Sequence, residues 1–172
     1  QQFVRVVLRD SPLPVILEDL GVITPDVIAL REQTGLPGMK VLQFAWEEGA
    51  EGAYLPHNHV PNGVVYTGTH DKDTSLGFWQ AAPPHVQDHI RRYLCIDGHD
   101  FVWDFIRAAF MSVAHTAIIP MQDVLSLDRG GRMNTPGVGS GNWTWRARRE
   151  AFHSQAAARL RGLAELYGRA RS

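Results

Sequence analysis

The 172 residues are one domain's worth of chain at roughly 150 residues per domain, and 44% hydrophobic with 20% charged residues is the composition of a folded globular protein. Lys+Arg 17 against Asp+Glu 18 leaves a formal net charge of -1, which excludes a global field that would draw the chain to nucleic acid or acidic lipid. The single Cys95 excludes an intramolecular disulfide framework. Its neighbours Tyr93, Leu94 and Ile96 predict a thiol that behaves as a small hydrophobe, in a reducing, cytoplasmic setting. No apolar run reaches the ~18 residues that span a bilayer. The start, Gln1-Gln2-Phe3-Val4-Arg5, has neither a signal peptide's basic-then-apolar layout nor an initiator Met, so a chain processed or cut from something longer is expected.

Short apolar runs alternate with longer segments of helical period, the pattern of βαβα units around a mainly parallel sheet. The first predicted strand is Val15 to Leu17, followed by Glu18-Asp19-Leu20-Gly21. Thr24 and Pro25 then read as cap and first position of a helix that closes at Gly35. The second strand is Met39 to Phe44, between Pro37-Gly38 and Glu47-Glu48-Gly49, and a long loop leads on to Asn62-Gly63. Val64 to Tyr66 is the third strand, ending in Thr67-Gly68-Thr69-His70-Asp71-Lys72-Asp73-Thr74. Helical segments follow near Leu76 to Gln80 and Pro84 to Leu94. Val102, Phe105, Ile106, Ala109, Phe110 and Val113 then recur at three- and four-residue steps as a core-facing stripe.

The fourth strand, Ala117 to Ile119, runs into Pro120-Met121-Gln122-Asp123. A Gly-, Asn- and Trp-rich loop extends from Gly130 to Trp145. A final amphipathic helix is predicted over 147–171, with Phe152, Ala156, Leu160, Leu163 and Leu166 on one side. The Arg-rich composition from Arg146 onward reads as a solvated helix face, because no aromatic residues are interleaved for base stacking. An eight-unit barrel takes ~250 residues; four strand-helix units therefore predict an α/β fold that is the carboxyl-terminal half of a (β/α)8 TIM barrel.

Polar residues follow apolar strands directly at two places, Glu18-Asp19 after the first and His70-Asp71 after the third. The carboxyl ends of parallel strands are where loops converge on one face and active sites are built. An acid beside a carboxylate is the minimum equipment for glycosidic chemistry, although acids after strands also cap helices. Other clusters carry less. His57-Asn58-His59 spells a nuclease motif whose residues are dispersed, not contiguous. His85 and His89 stand four apart on a helix, without an acidic third ligand at metal-site spacing. His70-Asp71-Lys72-Asp73 has a second reading as the metal cluster of a hydrolase.

Longer strings are more specific. Glu18-Asp19-Leu20-Gly21-Val22-Ile23-Thr24-Pro25, Gly35-Leu36-Pro37-Gly38-Met39-Lys40-Val41-Leu42-Gln43-Phe44 and Tyr54-Leu55-Pro56-His57-Asn58 form the first group. Val65-Tyr66-Thr67-Gly68-Thr69-His70-Asp71, Arg132-Met133-Asn134-Thr135-Pro136-Gly137 and Gly141-Asn142-Trp143 form the second. Together they closely resemble the 4-α-glucanotransferases called amylomaltase or disproportionating enzyme. They occur in the family's order from about Val15 to Arg146, over the carboxyl-terminal part of that family's catalytic domain.

The resemblance implies a barrel related to α-amylases, with strands five to eight within residues 1–172, acting with retention through three acids. Glu18 would be the general acid/base after the fifth strand, and Asp71 the transition-state stabiliser after the seventh. His70 would hydrogen-bond the sugar in the cleaved subsite. The nucleophilic Asp belongs after the fourth strand, upstream of Gln1, and no residue here matches it. Glu48 falls where the family often has an acid near the donor-side loop, while Asn134 and Asn142 could bind sugar hydroxyls or form turns. Trp46, Tyr54, Trp143 and Trp145 could stack on glucose or serve as core. Family members often carry Tyr where this chain has His59, and the loop from Pro56 to Val64 is short.

The implied substrate is an α-1,4-glucan or maltooligosaccharide, with no metal or organic cofactor, no nucleic acid and no membrane. Alone, the chain is expected to be inactive. Its expected partner is the missing amino-terminal half-barrel; the alternative is a non-catalytic half-barrel that binds glucan or self-associates.

Overall fold

The computed structural model describes residues 14–170. Its centre is a three-stranded parallel sheet of β1 (Gly38–Val41), β2 (Gly63–Tyr66) and β3 (Thr116–Ile118), in that order. Met39 pairs with Val64, and Val64 in turn with Thr116. Leu17 adds one parallel bridge to Gly38, and its N–H donates to the Pro37 carbonyl at 2.9 Å. The predicted first strand is thus a single bridge at the sheet edge rather than a ladder.

The predicted second strand is also shorter than its apolar run. It ends at Val41, and Leu42–Phe44 wind into a 3-10 turn. Val41, Leu42, Ala45 and Trp46 are all buried. Neighbours one and four apart reach one core only if the backbone turns, because an extended strand would send alternate residues to opposite faces.

Helix α1 (Pro25–Thr34) starts and stops where predicted, with Gly35 at φ 67 as its left-handed C-cap. Thr24 does not cap it through a backbone N–H; its hydroxyl donates instead to Asp26 at 2.5 Å. Between β2 and β3 run α2 (Ser75–Ala81), α3 (Pro84–Leu94) and α4 (Phe101–Phe110), and after β3 come the one-turn α5 (Met121–Val124) and α6 (Ser154–Leu166). Cys95 ends α3 in the left-handed region at φ 54 and is exposed, contrary to the expectation of a buried thiol. Leu94 and Ile96 on either side are the residues that pack inward.

The α4 stripe builds the core, except that the helix ends at Phe110 and leaves Val113 58% exposed in the following loop. Helix α6 begins at Ser154, with the His153 ring accepting the Ala156 N–H, and is shorter than the expected span of 147–171, whose last residue lies outside the described residues. Ala156, Leu160 and Leu163 pack on the core, but Phe152 lies before the helix and Leu166 at its last residue, 60% and 71% exposed. Among the described residues no helix is long and apolar enough to cross a membrane.

Phe105 is the keystone of the aromatic core: fully buried, with ring centroids 4.9 Å from Phe101, 5.9 Å from Trp46 and 6.1 Å from Phe78. Phe105→Ala is expected to cost about 3–5 kcal/mol, lost apolar contact plus the cavity left by neighbours that cannot collapse. Equilibrium urea unfolding checks this; a loss below about 1 kcal/mol would mean that the cluster is looser than its contacts indicate.

Candidate active site

The two adjacent acids after Leu17 are separated by their partners. Asp19 is nearly buried: its carboxylate accepts from Arg31 Nη1 and from the Met39 N–H, both at 2.7 Å. It lies so close over Gly38 that any Cβ at that position would collide with it. Asp19 therefore ties α1 and the leading edge of the sheet together. Glu18 is left exposed, and its side chain lines a cleft of ≈ 390 Å³.

His70 and Asp71 line the same cleft, with Met39, Tyr66 and Ile118. Both acids come from segments that follow parallel elements of one sheet, which is why residues more than fifty apart in sequence share a wall. The two flanking residues of the Arg132-Met133-Asn134 segment hold the second acid. Asn134 Nδ2 donates to Asp71 Oδ1 at 2.6 Å, and Arg132 Nη2 donates to the Asp71 carbonyl at 2.8 Å. The Asn134 N–H donates to the His70 carbonyl at 3.0 Å, and Arg132 Nε donates to the Asn134 carbonyl at 2.8 Å. His70 Nε2 lies 3.3 Å from Asp71 Oδ1 with both side chains about half exposed, leaving hydrogen-bonding capacity toward the cleft.

Trp143 leans on His70, ring centroids 5.1 Å apart, from a backbone at φ 62 that its N–H fastens to the Met133 carbonyl at 2.8 Å. His70 also lines a second hollow of ≈ 170 Å³, together with Lys72, Gln122, Arg132 and Trp143. The same hollow is lined by Asp123, an acid outside the predicted site. Its carboxylate is 1% exposed and accepts from the Thr67 hydroxyl at 2.5 Å and from the Ser75 N–H and hydroxyl, both at 2.7 Å. Burial pushes its pKa up, opposed by the hydrogen bonds from Thr67 and Ser75. Its one sequence signal is that, like Glu18 and Asp71, it is an acid shortly after a strand.

The remaining predicted residues separate clearly. Glu48 is exposed in the loop after Trp46 and does not line the cleft. Asn142 faces its own loop, accepting the Thr135 N–H at 2.9 Å and donating to the Val138 carbonyl at 2.8 Å. Trp46 is core, set against His89, Tyr93 and Phe105. Tyr54 packs on Phe44, with burial and then the charges of Asp19 and Glu48 raising its phenol pKa. Trp145 is half-buried, and its carbonyl accepts from Arg146.

His57, His59 and His89 each have partners within the fold. His57 bonds Tyr93 and the Ala50 carbonyl. His59 is buried between Ser112 Oγ and the Tyr54 carbonyl, and burial lowers its pKa. His89 faces the Trp46 carbonyl at 3.2 Å, and Asp73 accepts from Arg129 at 2.7 Å. Among the described residues no group of three or more His, Cys, Asp or Glu could hold a metal ion.

Comparison with known proteins bears on what this cleft does. The sequence profile of the 4-alpha-glucanotransferase family matches residues 1–151. The chain is 50% identical over 161 residues to the 4-alpha-glucanotransferase of Thermus thermophilus, covering 89% of this chain and 32% of that protein. It is equally 50% identical over 161 residues to the chloroplastic/amyloplastic 4-alpha-glucanotransferase of Arabidopsis thaliana, covering 91% of this chain and 28% of that one. An amylomaltase from Streptococcus agalactiae, solved in complex with acarbose, superposes with a TM-score of 0.90 at 30% identity, covering 97% of this chain and 34% of its own. The chain thus spans about a third of the length of the curated relatives it matches.

Proposed function

Because this chain belongs to the 4-alpha-glucanotransferase family, we propose that it supplies the acid/base half of a retaining transfer of α-1,4-glucan segments between maltodextrins. The reading is carried by one observation: Glu18, and His70 with Asp71, from two segments that follow parallel elements of one sheet, line a single open cleft. In the first half-reaction a carboxylate nucleophile, contributed by strand units outside this third of the enzyme, attacks the anomeric carbon. Glu18, protonated, gives its proton to the departing glycosidic oxygen. In the second, Glu18 as carboxylate takes the proton of an acceptor's 4-hydroxyl, whose oxygen displaces the enzyme carboxylate. A sugar acceptor in place of water makes the enzyme a transferase.

The Asp71 carboxylate stabilises the positive charge that builds at the anomeric carbon, while His70 hydrogen-bonds the sugar beside it. Asn134 serves this chemistry by holding Asp71, and Trp143 offers an exposed ring beside His70 for stacking on a glucose face. Asn142 acts indirectly, by bracing the loop that presents Trp143. Glu48 would reach substrate only on the donor side, beyond the cleft seen here.

We further propose that the sheet is the carboxyl-terminal half of a (β/α)8 barrel. Support comes from the uniformly parallel order of the Leu17 bridge, β1, β2 and β3, and from apolar side chains left exposed on α1 (Val27, Ile28 and Leu30) and β3 (Ile118). Those residues would face the remaining units. The test is complementation: mixing this chain with the preceding two-thirds of the catalytic domain is expected to release glucose from maltotriose, and neither piece alone is. A folded, reassembled complex without transfer would overturn the reading. If the chain instead closes on itself by self-association, analytical ultracentrifugation will find stable dimers that the added piece fails to dissociate.

A further inference from the structure

We propose that Asp123 is a positioning residue for the transfer reaction: it clasps both ends of the segment that carries His70 and Asp71. This rests on the function proposed above. Thr67 is the first residue after β2 and Ser75 the first residue of α2, so the two mark where the segment leaves the sheet and where it becomes helix. One carboxylate takes hydrogen bonds from both, two on Oδ2 from the hydroxyls and one on Oδ1 from the Ser75 N–H.

A buried carboxylate is a costly choice for a merely structural staple, since two apolar side chains would join the same points without desolvating a charge. What the carboxylate adds is direction, because three donors fix both the separation of the two ends and their orientation. The intervening residues are then held from outside. Gln43 Nε2 donates to the Asp73 carbonyl at 2.9 Å while packed against Gly68, and Arg132 and Asn134 grip Asp71 itself. Asp123 thereby sets the base from which Asp71 reaches the anomeric carbon, without itself facing the cleft that holds Glu18.

The test uses the full-length catalytic domain and maltotriose disproportionation, with the concentration of folded sites set by acarbose titration. Asp123→Ala is expected to lower kcat per folded site about a hundredfold, the loss that accompanies misplacement of a reacting group by about 1 Å, with KM changed less than about threefold. Asp123→Asn keeps one acceptor and is expected to recover about tenfold of that loss. Thr67→Val and Ser75→Ala, which are milder, should each lower kcat about tenfold and keep the assignment testable if the alanine variant does not fold. The assignment is overturned if all folded variants turn over within about threefold of wild type per site, even with a lowered melting temperature, or if kcat and KM shift together. Wild-type protein that binds acarbose yet transfers nothing would instead overturn the function on which the assignment rests.

Discussion

Glu18→Gln in the full-length catalytic domain is expected to lower kcat for maltotriose disproportionation by about a thousandfold, within the range that proton transfer by a positioned group contributes. The amide is the same size as the carboxyl, and Glu18 is exposed and lines the cleft, with no side-chain hydrogen bond to another of the described residues. Its loss therefore removes the transferable proton and little else. The defect should depend on the leaving group. A glycosyl fluoride needs no acid to depart, so the first half-reaction should proceed in the variant, while the second still lacks a base to deprotonate the acceptor. A covalent glycosyl-enzyme should then accumulate, visible by intact mass spectrometry. Full activity of Glu18→Gln on maltotriose would remove Glu18 from the mechanism and shift attention to Asp19, which the structure shows pinned by Arg31 and Met39.

Asp71→Asn is expected to reduce kcat by about a thousandfold with KM within a few-fold of wild type. The interaction removed is one made fully only with the charge that develops in the transition state. The substitution isolates charge from geometry. Asn134 Nδ2 can donate to the new amide oxygen as it does to Asp71 Oδ1, and the Arg132 contact to the Asp71 backbone is untouched. A loss confined to KM, with kcat unchanged, would mean that Asp71 binds ground-state sugar and that the stabiliser is another group.

Much of this architecture is legible in local pattern. α1 is announced by Thr24-Pro25 and Gly35, and α4 by apolar residues at helical spacing, because both signals depend on backbone conformation within a turn or two. Local pattern and structure part where the core reaches in from distant segments. The Met39 to Phe44 run carries strand-like composition, yet burial of both Leu42 and Trp46 turns the chain after Val41. Cys95 sits between apolar neighbours and still faces solvent, because α3 ends there and the backbone reverses hand.

The parallel α/β class, the acids worth considering and the family strings around them are legible in the chain itself, since all are written in residues a few positions apart. Contacts between distant segments set the rest: Asp19 of the neighbouring pair is pinned by Arg31 and Met39, Asn134 grips an acid 63 residues away, and Asp123 spans 48 and 56 residues to Ser75 and Thr67. Burial and hydrogen-bond partnership belong to contacts between segments, and those exist only once the sheet has brought the segments together.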